Sequence, residues 1–594
     1  PLVKMVAAWP LLAAQRPLAP PTRVSVALSA MQALYTEPGA EARARLGGRL
    51  LADCLFGLPL LCVAFLLGRQ VGGAAAGLVL ALFLGLDWSV FPLLGLLYMD
   101  AAAALGFGLT LLAAARFLRR PDLASAALVG LGLGLAVASK FTGLLALTAV
   151  AGALLLAPGL RSAWRRRLLC GALAAAIAWG VVELTYAAAN RHYEPSYGRE
   201  TIELYCANRS TILVGDRLRP HAPFLLALER RDPRAAQWLT GLLATRAQNA
   251  IGVYPACNFG TMRSRGSWWY FPVLLLAKTP LPLLLASAGA LGAALAAPRR
   301  RHRSATAGGT AGGAGGSAGA AGGKVGAGEG GAGEGGSGEG GAGEGGAGEG
   351  GSDASGEVAR RRFAWLLAAT AAVYLAVAMD SNYNAGLRHL LPVLPLLYLP
   401  AALWAARRPR IAAVLLAALL AESLALAPVW LSSDNTWWLG GRDPMRFALS
   451  TDNCYYHQNL IALRTAAERR ALHPLYVLDP SLGAPQVERY LGPGVALGPA
   501  SPLNPGWYAV GAAAEVCLPA ILRSSPAEMY GFPRYRAIAE SWLPAAMAIA
   551  RAGEDRGYVA GTFHLYRLAA APLAPAHPLE PRPAGAAQPG ADRR

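Results

Sequence analysis

Residues 99–120 read MDAAAALGFGLTLLAAARFLRR. One acid, Asp100, stands at the start, and no further charge comes until Arg116, Arg119 and Arg120 close the stretch. A helix of about 20 residues, rising 1.5 Å per residue, matches a hydrocarbon core about 30 Å thick. Arginines gathered at one end mark a cytoplasmic helix end. The stretch therefore reads as a membrane span that enters at Asp100 and leaves among arginines.

The same pattern repeats along the chain. Apolar runs lie at roughly 50–68, 73–90, 99–118, 122–140, 142–159, 168–188, 269–297, 364–380, 390–406 and 411–430. Between them stand Arg161 with Arg165–Arg167, Arg299–Arg303 with Arg360–Arg362, and Arg407, Arg408 and Arg410. Counting spans puts every cluster on one face, which fixes that face as cytoplasmic. Composition agrees: 54% of the 594 residues are hydrophobic and 15% charged, against about 25% charged in soluble domains. The expected fold is a polytopic α-helical membrane protein of about ten spans. The formal charge, 54 − 35 = +19, sits mostly at helix ends, so it reports topology and excludes nucleic acid as a partner.

The domain map follows. Spans occupy 50–188, 269–297 and 364–430. The outer side receives 1–49, the loop 189–268, the short loop 381–389 and a region at 431–569. Trp268-Trp269-Tyr270-Phe271 forms an aromatic belt where the span at 269 begins. Within 298–363, GEGGA and GEGGS repeats carrying Glu329, Glu334, Glu339, Glu344 and Glu349 cannot bury a core, so this segment reads as a flexible cytoplasmic linker. Residues 570–594, rich in Pro and Ala, read as a disordered tail. In 431–569, Leu475–Leu478 and Gly506–Val510 have the pattern of short buried strands, and 458–471 and 536–551 that of helices. A small extracytoplasmic α/β domain is expected there. The chain opens at Pro1 inside a pattern, with no signal peptide or first span before it, and so reads as the remainder of a longer chain.

Cysteines divide by place. Cys54, Cys62 and Cys170 lie in spans; Cys206 and Cys257 share the outer loop, and Cys454 and Cys517 the outer domain. Two even pairs on an oxidising side suggest two disulfides; four unrelated small residues are the alternative. No His/Cys cluster has zinc spacing. Asn208-Arg209-Ser210 is a glycosylation sequon that matters only in a eukaryotic host.

Charges on the outer side need another explanation than topology. Asp100 reads either as an acid facing a water-filled cavity or a partner, or as a helix N-cap. Lys140, in Ala138-Ser139-Lys140-Phe141-Thr142-Gly143, emerges at the depth of Asp100; snorkelling is its alternative. Asn384-Ala385-Gly386-Leu387-Arg388-His389-Leu390-Leu391-Pro392 puts a guanidinium fork and an imidazole at a helix mouth. They suit phosphate oxygens, or else bond backbone carbonyls. Lys4 lies outside as well. Lys278, in Lys278-Thr279-Pro280-Leu281-Pro282, sits where prolines kink a helix and reads as structural. Asp87 lies inside a span and ranks below Asp100.

These stretches resemble, in order, the GT-C class of polyprenyl-phosphate-dependent membrane glycosyltransferases: glycosyltransferase family 39, the aminoarabinose transferases and the protein O-mannosyltransferases. The resemblance rests on Asn384 to Pro392, Pro1-Leu2-Val3-Lys4 through Trp9-Pro10-Leu11-Leu12, Asp100, and Lys140-Phe141-Thr142-Gly143. It also rests on Trp268 to Val273 with Lys278 to Pro282, and on Gly506-Trp507-Tyr508-Ala509-Val510. It implies transfer of a sugar from a dolichyl- or undecaprenyl-phosphate donor to a protein, lipid or glycan acceptor on the lumenal or periplasmic side. Arg388, His389, Lys140 and Lys4 would then hold the carrier phosphate, and catalytic Asp100 would support the acceptor or a metal ion. A divalent cation is admitted, not required.

Two departures stand out. The family's first-loop general base would lie before Pro1. Its Asp-Ser-Asn-x-Asp-Trp-Gly-Gln element corresponds to Thr451-Asp452-Asn453-Cys454-Tyr455-Tyr456-His457-Gln458, where Asn453 and Gln458 remain and the two acids do not align. The membrane would be the endoplasmic reticulum in a eukaryote or the inner membrane in a bacterium. A flippase for lipid-linked sugars is the competing reading, expected to show internal repeats and broken helices with charges at the midplane. A receptor or scaffold is the third, and it leaves Arg388, His389 and Asp100 unexplained.

Overall fold

The computed structural model describes residues 40–569, except 96–98, 159–162, 192–195, 208–213, 254, 308–348, 428, 436–458, 499–502, 527–528 and 530. Helix α1 (Ala40–Ala52) passes through a π turn, Asp53–Gly57, into α2 (Leu58–Leu86). α2 is not straight. Gly73 takes φ 85° and ψ 179°, and a Cβ built on Gly77 would stand 2.4 Å from the carbonyl oxygen of Phe65. Residues twelve apart on one straight helix lie about 18 Å apart. The chain therefore doubles back at Gly73, a φ that glycine adopts at little cost, and the legs lie side by side.

The bundle continues through α3 (Met99–Arg119), α4 (Leu123–Ser139), a 3₁₀ turn at Phe141–Ala146, α5 (Leu147–Leu156) and α6 (Trp164–Asn190). Small residues let these helices meet backbone to backbone. A Cβ on Gly106 of α3 would stand 2.4 Å from the Ala136 nitrogen of α4, and one on Gly130 of α4 2.4 Å from the Ala174 carbonyl of α6. Apolar attraction between helices is absent in lipid, so such close packing takes its place.

On the far side of α6, α7 (Tyr197–Cys206), α8 (Ala222–Arg231) and α9 (Pro233–Ile251) enclose a small core of Ile202, Leu225 and Ala244. A hairpin of β1 (Ala256–Asn258) and β2 (Thr261–Arg263) follows. Then come α10 (Tyr270–Lys278), α11 (Leu281–Ala307), α12 (Glu349–Asp380), α13 (Leu394–Ala406) and α14 (Pro409–Ala425).

Among the described residues, four helices are long and apolar enough to cross a membrane: Leu46–Leu86, Met99–Arg119, Trp164–Asn190 and Gly356–Asp380. The pair Tyr270–Lys278 and Leu281–Ala296 makes a fifth if counted as one span, but it bends by 114°. Leu123–Ser139, Phe141–Leu156 and Leu394–Ala406 are apolar but shorter. These are the helices of a membrane protein, yet by length alone the expected ten spans become four or five. The reasons are local. At Gly73 the two expected spans, 50–68 and 73–90, are the two legs of one doubled-back helix, which counts once by length. Pro280 removes a backbone donor and breaks the expected span at 269–297. The turn at Phe141–Ala146 shortens the one at 142–159. Helix also enters the expected linker from both sides, to Ala307 and from Glu349.

Residues 460–568 build an α/β unit. Its sheet runs β4 (Ala496–Leu497), β3 (Leu475–Leu478), β5 (Gly506–Gly511), β7 (Phe563–Leu568), β6 (Glu554–Val559). β3 is parallel to β4 and β5; β7 is antiparallel to β5 and β6. Alternation sorts the faces. Val477, Ala509 and Leu565 pack with α15 (Leu460–Arg470) and α16 (Ala484–Leu491). Leu478, Tyr508 and Val510 pack with α17 (Ala512–Arg523) and α18 (Phe532–Ala552). The expected strands fall on β3 and β5.

The expected cysteine grouping is corrected. Cys257 of β1 bonds to Cys517 of α17, 260 residues away, so the bridge joins the loop to the α/β unit rather than closing within either. Cys206 is free and buried in the core of α7 to α9, and Cys454 lies outside the described residues. Two neighbours reinforce the junction: Arg523 Nη2 donates to the Gly260 carbonyl at 3.1 Å, and Ser524 Oγ to the Met262 carbonyl at 3.1 Å.

Candidate functional site

Antiparallel packing brings the start of α3 beside the end of α4. Asp100 lies in the first turn of α3, and Lys140 is the extended residue just past α4. Lys140 Nζ donates to Asp100 Oδ1 in an ion pair whose side chains are 17% and 7% exposed. Asp100 thus has the partner that one of its readings required, and that partner is Lys140. Tyr374 of α12 packs edge-on to Phe107 at 5.7 Å. Its hydroxyl donates to the His389 carbonyl at 2.6 Å and stands within electrostatic reach of Asp100.

The segment carrying Arg388 and His389 is held from several sides. Gly386 takes φ 92°, the left-handed region that favours glycine, and its N–H donates to the Tyr270 hydroxyl at 2.9 Å. Asn382 N–H donates to Asn249 Oδ1 of α9 at 2.9 Å, and Tyr383 Oη to Gln248 Oε1 at 2.7 Å. The Tyr383 ring stacks on His389, with centroids 6.3 Å apart. Arg388 Nε donates to the Ala385 carbonyl at 3.2 Å, the structural alternative raised for it. Lys140 and Arg388 both lie close enough to act electrostatically on His389. Asp100, Lys140, Arg388 and His389 therefore gather at one end of the bundle, the end that carries the α/β unit.

A second polar network adjoins them. Asp87 is fully buried; its Oδ1 accepts from Ser89 N–H and Oγ, and its Oδ2 from the Tyr398 hydroxyl at 2.6 Å. Trp88 Nε1 donates to Glu422 Oε1 at 2.9 Å. Lys278 Nζ donates to the carbonyls of Leu431 and Ser433 at 2.9 and 2.6 Å, which is the structural part the sequence assigned it. A narrow cleft lined by Ser89, Leu93, Lys278, Leu387, Arg388, Trp430 and Leu431 joins the networks, with room for about one water molecule.

Lys4 and the element 451–458 lie outside the described residues. Among the described residues no three of His, Cys, Asp and Glu stand close enough to hold a metal ion. Sequence reading missed Tyr374, Tyr383 and Glu422. Glu422 had a signal, as an acid inside an apolar run. The tyrosines had none, since their partners are set by tertiary contacts. No family model matches this chain, and neither a curated protein nor a solved structure matches it.

Proposed function

We propose that this protein is an integral membrane glycosyltransferase, moving a sugar from a polyprenyl-phosphate donor to an acceptor on the outer side. The observation that carries the reading is the convergence of one acid, Asp100, with three cationic or donor side chains, Lys140, Arg388 and His389, from separate elements at one end of an apolar bundle. In the transfer, an acceptor hydroxyl oxygen bonds the anomeric carbon, the bond from that carbon to the carrier phosphate breaks, and the hydroxyl proton passes to a base. Negative charge grows on the departing phosphate. Preorganised donors there lower the barrier. Arg388 and His389 take that part, and Lys140 shares its charge between Asp100 and the phosphate. Asp100 keeps Lys140 in position before the donor binds. The lipid-linked donor, a protein, lipid or glycan acceptor, and the ten-span GT-C arrangement belong to the same reading. The doubling back at Gly73 and the short apolar helices favour that arrangement.

The break between α10 and α11 is the feature that favours a flippase for lipid-linked sugars. Against it, Lys278 at the break is taken up by two backbone carbonyls. The test is release of polyprenyl phosphate from labelled polyprenyl-phosphate sugars, using membranes that contain the full chain. Turnover that falls by about 10²–10³ in Arg388→Ala, the usual effect of removing one such donor, supports the transferase. No turnover of any donor, with labelled lipid changing leaflet instead, replaces it with the flippase.

A further inference from the structure

We infer that the opposite, arginine-bearing end of the bundle holds a site for the headgroup of an anionic phospholipid, formed by Arg69, Arg119 and Arg360. The three come from separate elements: the turn region of α2, the last turn of α3 and the first half of α12. They line one cleft of about 630 Å³, within the range of about 300–1,000 Å³ typical of ligand sites.

The lining has two characters. Leu66, Val71, Ala115 and Phe363 make an apolar wall; the three arginines and Gln70 make the polar part. Among the described residues no carboxylate lines it. Glu357, on the same helix as Arg360, pairs instead with Arg361 at 2.5 Å. Among the described residues no ion pair holds Arg69, Arg119 or Arg360. Gln70 Oε1 accepts from Arg119 Nη1 at 2.5 Å and so orients that guanidinium. Gly73, with φ 85° and no atom within 4 Å of a built Cβ, leaves the rim open.

Helix orientation calls for arginines at this end. It does not call for three of them to converge over an apolar hollow. Exposed Arg165 and Arg166, at the start of α6, serve orientation without lining it. Guanidinium forks match phosphate oxygens, and the apolar wall beside them matches an acyl chain. A free phosphate would have no use for that wall. The site is separate from Asp100 and Arg388, so failure of the transferase reading leaves it standing.

The test uses the purified full chain in detergent, with dioleoylphosphatidylglycerol and dioleoylphosphatidylcholine as probes and native mass spectrometry as readout. Basic residues attract an anionic headgroup, so phosphatidylglycerol is expected to bind at least about tenfold better than phosphatidylcholine. Arg69→Ala/Arg119→Ala/Arg360→Ala abolishes the preference. Ala359→Trp fills the cleft without altering charge and weakens binding as well. Arg165→Ala/Arg166→Ala leaves it intact. If the triple variant fails to fold, Arg360→Ala and Ala359→Trp carry the comparison. The proposal is overturned if the Arg165/Arg166 variant loses as much as the triple one, if Ala359→Trp binds normally, or if inorganic phosphate displaces phosphatidylglycerol completely.

Discussion

Lys140→Met offers the sharpest test of the outer-end cluster. Methionine keeps most of the stem and removes the charge. Asp100, 7% exposed, then faces an apolar bundle without its lysine. Removing one partner of a buried ion pair costs about 3–5 kcal/mol, because the survivor is left uncompensated. Lys140 keeps 17% of its side chain in contact with solvent, which places the cost at the low end, about 3 kcal/mol, or about 150-fold in the folding equilibrium. Replacing both partners by neutral groups is far cheaper, so Asp100→Asn/Lys140→Met should recover about 2 kcal/mol of the loss. The assay is equilibrium unfolding of the full chain in mixed micelles, by titration with a denaturing detergent, for the wild type, both single variants and the double variant. Additive losses within about 0.5 kcal/mol would show the residues uncoupled and sink the ion-pair argument. A second readout separates stability from chemistry. If the cations serve the phosphate, the double variant regains stability while turnover stays low.

Three further outcomes follow from the geometry. His564 of β7 sits between Glu515 Oε1 at 2.9 Å and Asp555 Oδ1 at 2.9 Å. Burial opposes its charge, but the hydrogen bonds to Glu515 and then Asp555 outweigh it and hold the imidazole above its ordinary value of 6.5. That contribution to stability is full below about pH 6.5 and is lost as pH rises through the higher folded value. An imidazole NMR titration should show Glu515→Gln moving the transition to lower pH; an unmoved transition refutes the assignment. Cys517→Ser should free the β1–β2 hairpin, leaving the Arg523 and Ser524 hydrogen bonds to hold it. Faster amide exchange across 256–263, with a loss of about 2–4 kcal/mol, is expected, and unchanged exchange would contradict it. Gly77→Ala would bring a methyl group 2.4 Å from the Phe65 carbonyl and part the legs of α2, costing about 1–3 kcal/mol. Gly180→Ala, with open space around its Cβ, should gain up to about 1 kcal/mol. A reversed order in thermal unfolding would mean the legs do not touch.

The sequence made legible whatever depends on period, length and charge. Apolar runs ended by arginines gave the helices of the bundle, and alternating residues gave β3 and β5. Asp100 and Lys140 were placed at one depth simply by counting residues along antiparallel helices, and depth is one dimension of contact. The second dimension, which side of each helix faces the other, comes from close approaches such as Gly106 to Ala136, and a sequence does not announce the partner of a glycine. The same gap explains the cysteines. Grouping by segment assumed that a loop pairs within itself, whereas Cys257 reached Cys517 because β2 packs on α17, as the Arg523 and Ser524 hydrogen bonds show.

Glycine and proline were legible in place but not in angle. Gly73 opens the second expected span, and its φ of 85° reverses the chain there. Pro280 and Pro282 read as a kink, yet the helices on either side meet at 114°. In both cases the local rule gave the place of the break. The angle came from what the two pieces pack against. Lys278 shows why that matters for chemistry. The break brings its ammonium to the Leu431 and Ser433 carbonyls, which commits this cation to holding α10 against the entry to the α/β unit. In the proposed reading Arg388, on the same cleft, is then the cation that meets the carrier phosphate.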